Sequence, residues 1–229
     1  DNVKVNSQAL FENPTIRMIS DYISSDANIT IKNKKDFISP IGYTENDITK
    51  KFAMPKNILL TGVTGFLGAH ILAELLNKFA DTKIYCLIRN KPNKTNSKRL
   101  KEVLHFYFGA KYDLLINDRI IVISGDLARD NLGMDITGYK LLLTEVDTII
   151  NCASLVKHFG VYDLFYNSNV LSVKNLIDFA KESNSTLNHI STTSVSGNFL
   201  VRNDIKYDYT ENDFYIGQNY EDNVYVRTK

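Results

Sequence analysis

No run of about 18 apolar residues occurs in the 229-residue sequence, and its opening residues, DNVKVNSQ, lack the basic-then-apolar order of a signal peptide. The sequence therefore offers no candidate membrane-spanning helix, and the expectation is a soluble, cytoplasmic protein. An excess of one charge is lacking too. With a formal net charge of +1 and its Lys and Arg scattered, nothing in the sequence argues for a surface that binds nucleic acid or an anionic membrane. Cysteine is scarce: Cys86 and Cys152 both fall in apolar strand-like runs, where reduced, buried thiols are expected rather than a disulfide or metal site. His70, His105, His158 and His189 show no ligand spacing and are read as structural.

What is present is enough apolar residue, 44% of 229, for one sizeable domain or one and a half. The organising stretch is Asn57 to Leu76, NILLTGVTGFLGAHILAELL. Ile58, Leu59 and Leu60 read as a buried parallel strand, and Phe66 to Leu76 as a helix with apolar residues at helical spacing. Gly62, Gly65 and Gly68 lie between them. Glycine tolerates backbone angles barred to other residues and lets a ligand approach the main chain, while the free N–H groups of a helix's first turn attract a pyrophosphate. The first gap is one residue wider than in the usual dinucleotide fingerprint, so the strand and helix on either side carry the reading. A tight turn without a ligand is the alternative.

Ahead of this stretch, Asn13 can cap a helix that has Pro14 in its first position and Ile16, Ile19, Tyr22 and Ile23 on one face, before Ser24-Ser25-Asp26 ends it. Residues 27–54, mostly polar and charged with Pro40 and Gly42 among them, read as a linker or a segment wrapped over the next domain. Beyond it, strands are expected at Lys83–Ile88, Arg119–Ser124, Asp147–Cys152 and Thr186–Ser191, and helices at Ser97–Phe108 and Tyr162–Lys181. This rhythm predicts an α/β fold, a doubly wound parallel sheet of Rossmann type, with its ligand at the C-terminal ends of the strands.

The residues that follow the strands are therefore the informative ones. Arg89 stands where NAD-selective folds usually carry an acid for the ribose hydroxyl; an arginine there can pair with the extra phosphate of NADP, with Lys98 and Arg99 adding charge. A merely solvated basic loop is the alternative. Asp126, before Leu127, can accept a hydrogen bond from an adenine amine, and the small residues around Ala153 in Asn151-Cys152-Ala153-Ser154 let backbone pass close to a cofactor. After the fifth strand comes a hydroxyl cluster, Ser191, Thr192, Thr193, Ser194 and Ser196, which by itself is common turn chemistry. Tyr225 and Lys229 are spaced i, i+4 and share a face on a helix. Tyr107 and Lys111 repeat the spacing, but lie between the second and third strands; only Tyr225 follows the hydroxyl cluster.

With TGVTGFLG, Arg89, GDL, ISTTSV and YVRTK in this order, the chain resembles the extended short-chain dehydrogenase/reductase superfamily. More narrowly, TGVTGFLG followed by LIRN and NCASLVKHFG is similar to the thioester reductase domains that end non-ribosomal peptide synthetases, with relatives among carboxylic acid and aminoadipate reductases. The resemblance covers about residues 55–229, and LFENPTIRMISDYI is similar to the last helix of a carrier domain. It implies a carrier remnant at 1–26, a linker at 27–54 and an NADP-binding reductase domain at 55–229. The carrier's attachment serine is absent, and the family continues past its Tyr-x-x-x-Lys motif, so Asp1 and Lys229 read as cut ends and the fold as truncated before its substrate-binding part. Ile150 stands where many relatives carry histidine.

The resemblance implies NADPH-dependent reduction of a phosphopantetheinyl thioester, presented by the upstream carrier domain, to an aldehyde, or to an alcohol after a second hydride. Gly62, Thr64, Gly65, Phe66, Leu67, Gly68, Arg89, Arg99, Asp126, Leu127 and Ala153 would hold the cofactor. Thr192 would bond the carbonyl oxygen, with Thr193 and Ser194 as alternatives; Tyr225 would supply the proton, and Lys229 would favour ionisation of Tyr225 and hold the ribose. Two other functions share these residues: an extended dehydrogenase or epimerase of a nucleotide sugar, and a docking module that binds a carrier or nucleotide without turnover.

Overall fold

Five strands pair in parallel in the order β3-β2-β1-β4-β5, where β1 is Asn57–Thr61, β2 Lys83–Ile88, β3 Ile120–Ser124, β4 Thr148–Asn151 and β5 Thr186–His189. The structure is a computed structural model that describes residues 17–18, 54–157, 159–196 and 223–229. It divides into a larger unit, Met54–Val156 with Asp163–Ser191, and a smaller one that includes Lys157–Tyr162 and Thr192–Lys229. The amphipathic helix expected after Asn13 lies outside the described residues apart from helical Arg17 and Met18, as do the linker up to residue 53 and His158.

In the larger unit, alternation along the strands builds a core on each face of the sheet. Ile58 and Leu60 of β1 with Ile84, Cys86 and Ile88 of β2 pack on Leu72 and Leu76 of α1 (Phe66–Lys78) and on Leu100 and Leu104 of α2 (Asn96–Phe108). Leu59, Tyr85, Leu87 and Ile149 turn to the other face, against Tyr139 and Leu142 of α3 (Ile136–Glu145) and against Leu176 and Phe179 of α5 (Ser172–Ser183). The sheet is thus wound in both directions from β1, and the order reverses between β1 and β4, where open α/β sheets bind ligands. Both cysteines are free: Cys86 is buried in β2 and Cys152 half-buried just after β4. Among the described residues no helix is long and apolar enough to cross a membrane.

The structure departs from the sequence reading in two elements. α3 joins β3 to β4, a connection to which that reading assigns no helix; the Asp135 carboxylate starts it, accepting from the N–H groups of Thr137 at 3.0 Å and Gly138 at 2.9 Å. The single helix expected over Tyr162–Lys181 is instead α4 (Tyr162–Phe165), a π-helical turn at Tyr166–Leu171 and then α5, which ends at left-handed Asn184 with φ of 56°. In the smaller unit α6 (Val224–Thr228) is capped by Asn223, whose side-chain oxygen accepts from Tyr225 N at 3.0 Å and Val226 N at 3.3 Å.

Candidate functional site

The site starts at the β1–α1 turn. Gly62 has φ of +71°, and a Cβ there would come within 2.6 Å of the Cys152 carbonyl carbon; one on Gly68 would come within 2.3 Å of the Gly62 carbonyl oxygen. At these two glycines backbone packs on backbone, and Gly62 takes the backbone angle barred to other residues while lining the cleft described below. Gly65 is the less crowded position: its Cβ would make one tight contact, with the Gly62 carbonyl oxygen at 3.3 Å. Gly65 is also the N-cap of α1, and no side chain caps that helix, whereas Thr95, Asp135 and Asn223 cap α2, α3 and α6. The first-turn N–H groups of α1 are left as donors for an anion.

Beside this turn the loop after β4 is held by buried amides. Thr61 Oγ1 donates to Asn151 Oδ1 at 2.5 Å, and Ala153 N donates to the same oxygen at 3.1 Å. Asn169, from the π-helical turn, accepts from Leu155 N at 2.8 Å and Ser154 Oγ at 3.0 Å and donates to Leu155 O at 3.1 Å. The π-helical turn, a feature common at functional sites, sets Asn169 against this loop.

Between these parts opens a cleft of about 650 Å³, lined by Gly62, Thr64, Gly65, Arg89, Arg99, Asp126, Leu127 and Ala153 among others. The structure thus brings together eight of the eleven residues that the sequence reading gives to the cofactor. Phe66, Leu67 and Gly68 do not line it. The Phe66 ring instead lies 4.4 Å from that of His70 and 5.8 Å from that of Tyr107. Lys98 is not part of the lining either; Lys91 and Arg129, which sequence reasoning passes over, are. The cleft thus carries four cationic side chains and the carboxylate of Asp126, which accepts from Ala128 N at 3.1 Å and pairs with Arg129 at 3.8 Å. Uncapped N–H groups at one end and guanidinium groups at the other suit the pyrophosphate and a further phosphate of a dinucleotide, so the residues fit that cofactor.

In the smaller unit, α6 lies against the Thr193–Ser196 turn, so the helix bearing Tyr225 and the hydroxyl cluster are neighbours. Thr192 Oγ1 accepts from Ser194 N at 3.2 Å, and Thr192, Tyr225 and Lys229 are all half-buried. Burial pushes the Lys229 ammonium below its ordinary range. Arg227 stacks over the Tyr162 ring at 4.7 Å. The competing Tyr-x-x-x-Lys match is accounted for otherwise: Tyr107 sits among aromatic rings, and Lys111 lies 5.1 Å from the Tyr112 ring centre.

The family model described as male sterility protein (NAD_binding_4) matches residues 60–229. The chain belongs to this NAD-binding family. It is 31% identical over 189 residues to a linear gramicidin synthase of Brevibacillus parabrevis, a match covering 78% of this chain and 4% of that one. Among solved structures it is similar to a thiolation-reductase di-domain from an archaeal non-ribosomal peptide synthetase, with a TM-score of 0.66 and 36% identity over 81% of this chain and 49% of that one. The terminal R domain of the myxalamid PKS-NRPS pathway is also similar, with a TM-score of 0.56 and 32% identity over 63% of this chain and 37% of that one. The chain spans less than half the length of each of these three proteins.

Proposed function

We propose that the chain is the cofactor-binding part of an NADPH-dependent thioester reductase that releases an acyl or peptidyl group from a carrier's phosphopantetheine arm as an aldehyde. The observation that carries this reading is the cationic corner of the cleft, Arg89, Lys91 and Arg99 past the end of β2, in a chain whose relatives include reductase domains of peptide synthetases. An acid at Arg89 would suit a free ribose hydroxyl; a guanidinium suits a phosphate ester. The tail of a carrier at 1–26 and a linker at 27–54 belong to the same proposal, supported by the similarity to a thiolation-reductase di-domain.

NADPH, when bound, would supply the hydride that the thioester carbonyl carbon accepts. The protein must then stabilise the oxyanion that develops and protonate or release it. Thr192 donates a hydrogen bond to that oxygen, and the Tyr225 hydroxyl, four residues from Lys229, supplies the proton. The half-buried ammonium of Lys229 would favour the phenolate of Tyr225 after proton transfer and would be the residue to hold the nicotinamide ribose. Collapse of the tetrahedral adduct expels the phosphopantetheine thiol and leaves the aldehyde.

The test is single-turnover reduction of a carrier-loaded acyl thioester by the full-length protein. NADPH consumption with aldehyde formation, abolished in Tyr225→Phe, is expected. Equal activity of Tyr225→Phe, or reduction of nucleotide sugars in place of the thioester, would refute the proposal.

A further inference from the structure

Asn96, at the first position of α2, is 6% exposed, and its amide joins four chain segments at the cationic end of the cleft. Nδ2, with two hydrogens, faces three acceptors, the Ile88 carbonyl at 2.9 Å, Asn90 Oδ1 at 2.8 Å and Ser124 Oγ at 3.0 Å. Oδ1 accepts from Arg99 Nη1 at 3.0 Å, and the same Nη1 donates to the Arg89 carbonyl. The ends of β2 and β3, the loop bearing Arg89 and the guanidinium of Arg99 therefore meet on one buried side chain.

We propose that Asn96 is a positioning residue for recognition of a ribose 2′-phosphate. The inference rests on the reading of the cleft as an NADPH site and says which group makes its arginines selective. Arg99 is a long side chain with many rotamers, and its charge alone would attract any anion. Anchored through Nη1 to Asn96 and to the Arg89 carbonyl, it is ordered before the ligand arrives, so less freedom is lost on binding. Only an amide serves here: an aspartate keeps the acceptor for Arg99 but loses both donors, and an alanine loses all of them.

The experiment is calorimetric titration of the protein with 2′,5′-ADP and 5′-AMP, which differ by the 2′-phosphate, in the unaltered chain, Asn96→Ala, Arg99→Ala and the double variant. The unaltered protein is expected to prefer 2′,5′-ADP. Asn96→Ala should lose about tenfold of that preference, the scale of one hydrogen bond to a charged group, with 5′-AMP affinity unchanged. In the Arg99→Ala background it should cause no further loss, because it acts through Arg99. Should Asn96→Ala not fold, Arg99→Lys carries the test, since it keeps the charge and loses the planar fork; selectivity should fall there as well. A preference that survives in the folded variants, or 2′,5′-ADP and 5′-AMP weakening together as for a merely structural residue, overturns this inference and leaves the NADPH reading standing. No preference in the unaltered protein overturns both.

Discussion

Gly62→Ala would set a methyl group 2.6 Å from the Cys152 carbonyl carbon and 2.7 Å from the Ala153 nitrogen, both backbone atoms of a loop held by Asn151 and Asn169. Neither side can yield cheaply. The left-handed backbone at Gly62 costs a non-glycine residue about 1–2 kcal/mol, and forcing an extra carbon into closed packing about 1–3 kcal/mol more. The sum is roughly 2–5 kcal/mol, which for a chain of this size lowers the melting temperature by about 5–20 °C. Gly65→Ala provides the contrast: φ is −95°, the new carbon makes a single tight contact with the Gly62 carbonyl oxygen at 3.3 Å, and stability should fall far less than in Gly62→Ala. Its methyl would instead stand at the N-terminus of α1, where the proposed cofactor's pyrophosphate would approach, so dinucleotide affinity should fall. Thermal melts followed by circular dichroism without cofactor, paired with calorimetric titration, separate the two effects. If Gly62→Ala melts with the unaltered protein, or Gly65→Ala melts as low as Gly62→Ala, the division of labour between the glycines is wrong.

Other consequences are open to simple assays. Burial holds the Cys86 thiol well above its ordinary range, so an alkylating agent should label Cys86 only at the rate of unfolding, and half-buried Cys152 earlier; mass spectrometry of peptides reads both, and immediate labelling of Cys86 would contradict the core described. Tyr139, pushed up to about 12 by burial and by Glu182 and Asp178, binds its proton more tightly folded than unfolded. Its contribution to stability is complete below pH 10, the ordinary tyrosine value, and is lost as pH rises through about 12, so Tyr139→Phe should flatten the alkaline fall of denaturant midpoints in that window. Asn169→Ala removes the buried amide that pairs with the half-buried N–H and carbonyl of Leu155 and should cost about 1 kcal/mol in chemical denaturation. A midpoint equal to that of the unaltered protein would show that the clamp holds nothing.

The sequence expresses the sheet more openly than the parts that shape the cleft. β1 and β2 are continuous apolar runs because both faces of a parallel strand are buried, and their bounds follow from those runs. α3 is harder to see: Thr137 and Gly138 are weak helix formers, Leu141, Leu142 and Leu143 blur the helical period, and only Asp135 marks the start. The π-helical turn has no local signature, and the bonds that Asn169 makes from it reach a loop 14 residues away. Asn96 likewise has no local signature, since Ser124 lies 28 residues on. Arg89, by contrast, is legible from its place directly after a strand, and chain order alone favours Tyr225 over Tyr107.

The most direct test of the NADPH site is calorimetric titration of the protein with NADPH and NADH, before and after Arg89→Ala. NADPH should bind clearly more tightly, and Arg89→Ala should bring its affinity down to that of NADH. Equal binding of the two cofactors by the unaltered protein, or a preference that survives Arg89→Ala, would contradict the assignment of the cleft's cationic corner to the 2′-phosphate.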